Sequence, residues 1–142
     1  MPGNGLTALR VILAFTLLTT TFHYAHNVIR AQDYPQIPGI PVLAAQIVVA
    51  FGWVLFTGFG LTGYRCYVRG RYWRALGFLL ICSLGGLAGA GHFLVGVPRI
   101  PAFWFATIFT DAAAAIALWL FVSWAAAQLN RVSIRDQAST QH

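Results

Sequence analysis

Lysine and glutamate are missing from this sequence altogether. Without lysine there can be no retinal or pyridoxal Schiff base and no phosphate-loop lysine. Without glutamate there can be no H-E-x-x-H zinc hydrolase. Charge of either sign is scarce: 8% of the 142 residues are charged, where a soluble domain carries about 25%. So few charges cannot cover a water-exposed surface, and insertion into a membrane is the simple consequence. Cysteine is limited to Cys66, in a basic segment, and Cys82, in an apolar run. That argues against a disulfide framework and a thiolate metal site, and both read as reduced, structural thiols. Three histidines besides His142 are too few for a membrane di-iron oxygenase. Ser83 and Ser123, the serines inside apolar runs, have no His–Asp pair at their level for a triad.

What is there is apolar: 58% of the chain is hydrophobic and its mean hydropathy is +0.70. Four stretches, roughly 7–29, 41–64, 73–96 and 101–127, reach the ~20 residues that cross a bilayer as helix. Backbone groups in lipid must bond internally, and strand alternation is absent, so the stretches are predicted helices. The connections are short, which makes neighbours antiparallel. The expectation is an all-α, integral membrane, antiparallel four-helix bundle over 1–130 as one domain. A polar, flexible tail is expected over 131–142. Arg10 followed by Val11–Leu18 imitates a signal peptide, but no small-x-small site follows, so it reads as a retained first helix.

The net charge is +6, yet the arginines mark segment ends rather than a nucleic-acid face. Arg10, Arg65, Arg69, Arg71, Arg74, Arg131 and Arg135 fall on one side of the predicted topology, with only Arg30 and Arg99 on the other. The positive-inside rule then makes both termini and the 65–72 loop cytoplasmic. The loop containing Pro35, Pro38 and Pro41, and the turn at 98–101, face out. Arginine without lysine, with abundant alanine and glycine, suits a GC-rich bacterial genome, hence a bacterial cytoplasmic membrane. Tyr34, Trp104, Tyr64, Tyr67, Tyr72 and Trp73 fall near the predicted interfaces as an aromatic belt. The basic loop also suits anionic lipid, although fixing topology alone accounts for it. The bilayer is the expected partner, and the exposed apolar sides leave room for other membrane subunits or a homo-oligomer.

The polar residues inside these stretches carry the functional reading. At 100° per residue, Thr16, Thr19, Thr20, His23, His26, Asn27 and Arg30 share one face within about 60° of His23. Such a stripe is costly against lipid and belongs in the bundle interior. Gly85, Ala88, Gly89 and Gly96 share the face of His92, small residues that let another backbone approach. Trp104, Thr107, Ala114, Ala115 and Leu118 share the face of Asp111. Gln46, Ala50, Trp53, Thr57 and Gly60 share a face of the second helix. By rise per residue, His23, His26, Gln46 and His92 lie within about 10 Å of the outer boundary, and Asp111 about 15 Å from it.

This set is expected to bind a transition metal (zinc, iron or copper(II)) through His23, His26, His92 and Asp111, with Asp111 as ligand or as the group orienting an imidazole. Haem held by two histidines of different helices is a variant of that expectation. Asn27, Gln46, Thr107, Tyr24 and Trp104 are candidate supporting or ligand-contacting residues. A metal-free ligand-binding or accessory subunit is the alternative, and a proton or cation conductor through Asp111 the third. The bland account makes these residues interhelical hydrogen-bond partners, worth about 0.6 kcal/mol each. Nothing in the sequence decides whether the protein is an enzyme.

Overall fold

The computed structural model describes residues 3–139. Helix α1 spans Gly3–Ile29 and is followed by a 3-10 turn, Ala31–Asp33. Helix α2 spans Val42–Val68 and α3 spans Tyr72–Ala88. A 3-10 turn at Gly89–Gly91 leads into the one-turn α4, His92–Val95, and α5 runs from Ala102 to Ser139. Four helical stretches, Asn4–Ile29, Val42–Val68, Tyr72–Val95 and Ala102–Ile134, are long and apolar enough to cross a membrane.

Three boundaries differ from expectation. The basic loop expected over 65–72 shrinks to Arg69–Gly70–Arg71, because α2 continues through Val68. Gly70 stops it: with φ +72°, it lets Arg71 N–H donate to Cys66 O at 2.9 Å and Gly70 N–H to Tyr67 O at 3.0 Å. That pair of bonds caps the last carbonyls, and glycine adopts the left-handed angle without a Cβ penalty. The third helix is not continuous, since the glycine pair Gly89 and Gly91 tightens it into 3-10 geometry. The polar segment after 130, expected as a flexible tail, is helical as far as Ser139. Residues 131–139 contain no Pro or Gly stop signal, so helical hydrogen bonding simply continues. Residues 140–142 of that tail lie outside the described residues.

The interior divides in two. Leu9 and Leu13 of α1, Tyr67 of α2, Ala75, Leu76, Leu79 and Cys82 of α3, and Leu118, Phe121, Val122 and Ala125 of α5 form one apolar core. Beyond it the buried side chains turn polar: Thr16, Thr19, Thr20, His23, Asn27, Thr107 and Asp111. Close approach of the helices makes this possible. A Cβ on Gly86 would lie 2.6 Å from the Asp111 carbonyl oxygen, so α3 meets the α5 backbone there only because residue 86 has no side chain. The outward surface is the inverse of a soluble protein's, with Val11, Leu18, Ile47, Phe51 and Leu120 all exposed.

Candidate functional site

The amphipathic stripe of α1 turns inward as its periodicity requires, from Thr16 through His23 to Asn27. His23 is 1% exposed and Asp111 is 0% exposed, and His23 Nδ1 lies 2.9 Å from Asp111 Oδ2. The contact is short but out of line: Nδ1 and both carboxylate oxygens lack an aligned hydrogen-bond partner among the described residues. The distance brings the two groups into direct contact, and the alignment makes it a bent, weak hydrogen bond at best. The depth difference expected between Asp111 and the histidines does not separate them. His23 seats against the bare backbone of Gly89, where an added Cβ would fall 2.5 Å from Cε1.

The other histidines are each held on one nitrogen. Asn27 Nδ2 lies 2.8 Å from His92 Nε2, and His26 Nδ1 lies 2.9 Å from the Tyr34 hydroxyl. The rings of His23 and His92 stack with centroids 5.8 Å apart, and Tyr34 sits 4.8 Å from His92 and 6.2 Å from His23. His26 turns instead onto Trp104, stacked at 4.3 Å. Burial and the neighbouring Asp33 carboxylate push the Tyr34 phenol up to about 12, with a further push from Asp111. It therefore remains a neutral hydroxyl throughout the physiological range.

The remaining candidates are spent elsewhere. The Thr107 hydroxyl donates to its own helix at Trp104 O, 2.6 Å, rather than bridging Asp111 to the histidines. Gln46 Nε2 donates to Val28 O at 2.7 Å, tying α2 to the end of α1. Tyr24 O–H donates to Gly85 O at 2.7 Å across to α3. Thr16 and Thr20 donate to Ile12 O and Thr16 O of their own helix, so the threonine stripe is satisfied by its own backbone. Among the described residues no three His, Cys, Asp or Glu side chains group closely enough to hold a metal ion. His26 is drawn off by Tyr34 and Trp104, while the rings of His23 and His92 stack.

Beside the cluster lies a cavity of about 200 Å³, lined by His23, Tyr24, Asn27 and His92 on one side and by Val49, Gly52 and Phe56 of α2 on the other. A second cavity of about 260 Å³ adjoins it toward Tyr34, Pro35, Ile37 and Ile40. Both are bordered by Asn27, Val48, Val49, Ala88 and His92. Val48 is 69% exposed, so the space opens sideways onto the apolar surface. Two features escaped the sequence. Tyr34 looked like an interface anchor, and no periodicity marks a loop residue as buried. The α2 wall is Val48, Val49, Gly52 and Phe56, not the Gln46–Ala50–Trp53 face, because Ala50 and Trp53 line a separate groove against Tyr24 and Val28. Comparison with protein-family models, with curated proteins and with solved structures finds no match for this chain.

Proposed function

We propose that this is an integral membrane protein that binds a small, metal-free ligand in the cavity beside His23 and His92. The bundle is antiparallel in a bacterial cytoplasmic membrane, with both termini and Arg69–Gly70–Arg71 inside and the histidine end outside. The exposed aliphatic surface and the arginine asymmetry support insertion and this orientation. The observation that carries the ligand reading is the cavity itself. One wall carries the imidazoles of His23 and His92 and the Asn27 amide, and the facing wall carries Val49, Gly52 and Phe56. Few polar groups on an otherwise apolar concave surface are the ordinary make-up of a small-molecule site. Conduction through Asp111 has less support: below the pair the interior is Leu9, Leu79 and Leu118, all fully buried.

A transition metal at His23 and His92 is the second reading, favoured by one observation. His23 Nδ1 faces a carboxylate, which leaves Nε2 open, as imidazoles that bind metal are commonly oriented. One experiment separates the readings. Protein purified from membranes in nanodiscs is analysed by native mass spectrometry and by elemental analysis, beside Gly52→Leu. Gly52 tolerates a Cβ, whose nearest neighbours would be Tyr24 at 3.9 Å and Phe56 at 4.0 Å, so leucine fills the cavity from α2. A bound organic mass that disappears in Gly52→Leu is the expected result. Stoichiometric metal lost in His23→Ala favours the second reading, and a bound mass indifferent to Gly52→Leu overturns the first.

A further inference from the structure

The protonation of the His23–Asp111 pair constrains what the cavity can bind. Both groups are fully enclosed, and an isolated ionised group there is expensive, so the pair is held electroneutral. Two proton arrangements satisfy this without stranding a buried donor, because Asp111 Oδ1 has no partner among the described residues to which it could give a proton. In one, Asp111 is ionised and His23 is an imidazolium with protons on both nitrogens. In the other, Asp111 keeps its proton and presents it to Nδ1, which leaves the neutral ring's proton on Nε2. In either case Nε2 is an N–H donor on the side of the ring away from Asp111. His92 is constrained in the same way: Asn27 Nδ2 donates to Nε2, so its ring proton sits on Nδ1. Neither His23 Nε2 nor His92 Nδ1 makes a hydrogen bond among the described residues. The cavity that both residues line, with the Asn27 amide beside them, therefore offers two imidazole donors, which a ligand carrying an acceptor matches.

The acceptor is neutral rather than anionic. An anion would add an unbalanced charge beside an already neutral pair, and no arginine lines either cavity. Arg30, the nearest in sequence, is engaged by Asp33 at 2.9 Å. The order of polarity along the two cavities also runs against an ordinary phospholipid. Pro35, Ile37 and Ile40 lie toward the loop, and the donors lie further inside the bundle. Gln36, the polar side chain at the loop end, is consumed by the carbonyls of Ala31 at 2.6 Å and Tyr34 at 2.8 Å. A ligand must lead with its polar group and trail its apolar part. Tyr24 and Phe56 flank the inner cavity, and aromatic walls favour a planar ring.

We infer that the cavity takes a neutral, lipophilic carbonyl compound of the quinone type, entering sideways from the membrane with its carbonyl end directed at the imidazole donors of His23 and His92. This rests on the ligand-binding reading above and adds the ligand's chemical class. The test measures binding of three probes of matched chain length to the full protein in nanodiscs: a decyl-substituted benzoquinone, 2-dodecanone and decanoate. Empty nanodiscs correct for partitioning. The quinone is expected to bind at least tenfold tighter than the other two and to lose at least tenfold in both His92→Phe and Gly52→Leu. Gly52→Leu leaves the polar cluster intact, so its loss of binding is not a folding effect if its melting temperature is unchanged. Decanoate binding tighter than the quinone overturns the neutral-acceptor assignment, and 2-dodecanone equalling the quinone overturns the ring. Quinone binding unchanged in both variants overturns the site. If all probes fail while an organic mass still co-purifies and is lost in Gly52→Leu, the class is wrong and the ligand-binding reading stands.

Discussion

Gly89→Ala tests the packing on which the site depends. The added Cβ would fall 2.5 Å from His23 Cε1 and 3.1 Å from Nδ1, closer than real Cβ contacts come. His23 cannot swing away cheaply, because it is 1% exposed and faces Asp111 at 2.9 Å. Either the helices part or the pair is disturbed. Overpacking of this kind costs about 1–3 kcal/mol, and full separation of a buried pair about 3–5 kcal/mol. Gly91→Ala, two residues along the same 3-10 turn, is the control. Nothing lies within 4 Å of its Cβ, and its φ of −61° suits alanine. The backbone-entropy gain of about 0.4–1 kcal/mol is common to both alanines, so the difference between them isolates the clash at about 1–3 kcal/mol. The assay is reversible unfolding in mixed micelles followed by circular dichroism. The penalty of Gly89→Ala should also vanish in a His23→Ala background, as a double-mutant cycle requires of residues in contact. Two alanines within about 0.5 kcal/mol of each other, or a penalty untouched by His23→Ala, would refute the placement of His23 on Gly89.

Further outcomes follow from the structure at Asp111, Tyr34, Gly70 and Gly77. Asp111→Ala should cost about 3–5 kcal/mol by leaving His23 buried without its partner. His23→Ala on top should then add far less than it does alone, and strictly additive losses in the same assay would mean the two do not interact. Tyr34 starts from 10.0 and is raised to about 12 by burial, then Asp33, then Asp111. Its contribution to stability is complete below pH 10 and is lost as pH rises from 10 through about 12. The phenolate absorbance difference between wild type and Tyr34→Phe should show that late midpoint, and a midpoint near 10 would mean an exposed phenol. Gly70→Ala should cost roughly 1–2 kcal/mol, because φ +72° at this position is left-handed. Gly77→Ala, inside α3 with open space around it, should instead gain about 0.5–1 kcal/mol in the same unfolding measurement.

Composition and periodicity alone determined the helical class and the four apolar stretches, because so few charged residues spread over runs of more than twenty leave little else to build. Periodicity also determined that Thr16, Thr20, His23 and Asn27 share a buried face, since a 3.6-residue repeat puts them there whatever the partner. It could not say what they face. Equal depth suggested three histidines converging on one ion. The tertiary structure instead pairs His23 with Asp111, His26 with Tyr34 and Trp104, and His92 with Asn27. Those pairings depend on how far α3 and α5 approach α1, which Gly86 and Gly89 decide through side chains they lack. Tyr34 and the α2 wall were illegible for a related reason: a loop residue has no period, and a lone Gly52 among apolar neighbours marks a cavity only once the opposite helix is in place. The stretch from Thr16 to Asn27 carried the signal for a site, and the choice of partner across the bundle gave the site its chemistry.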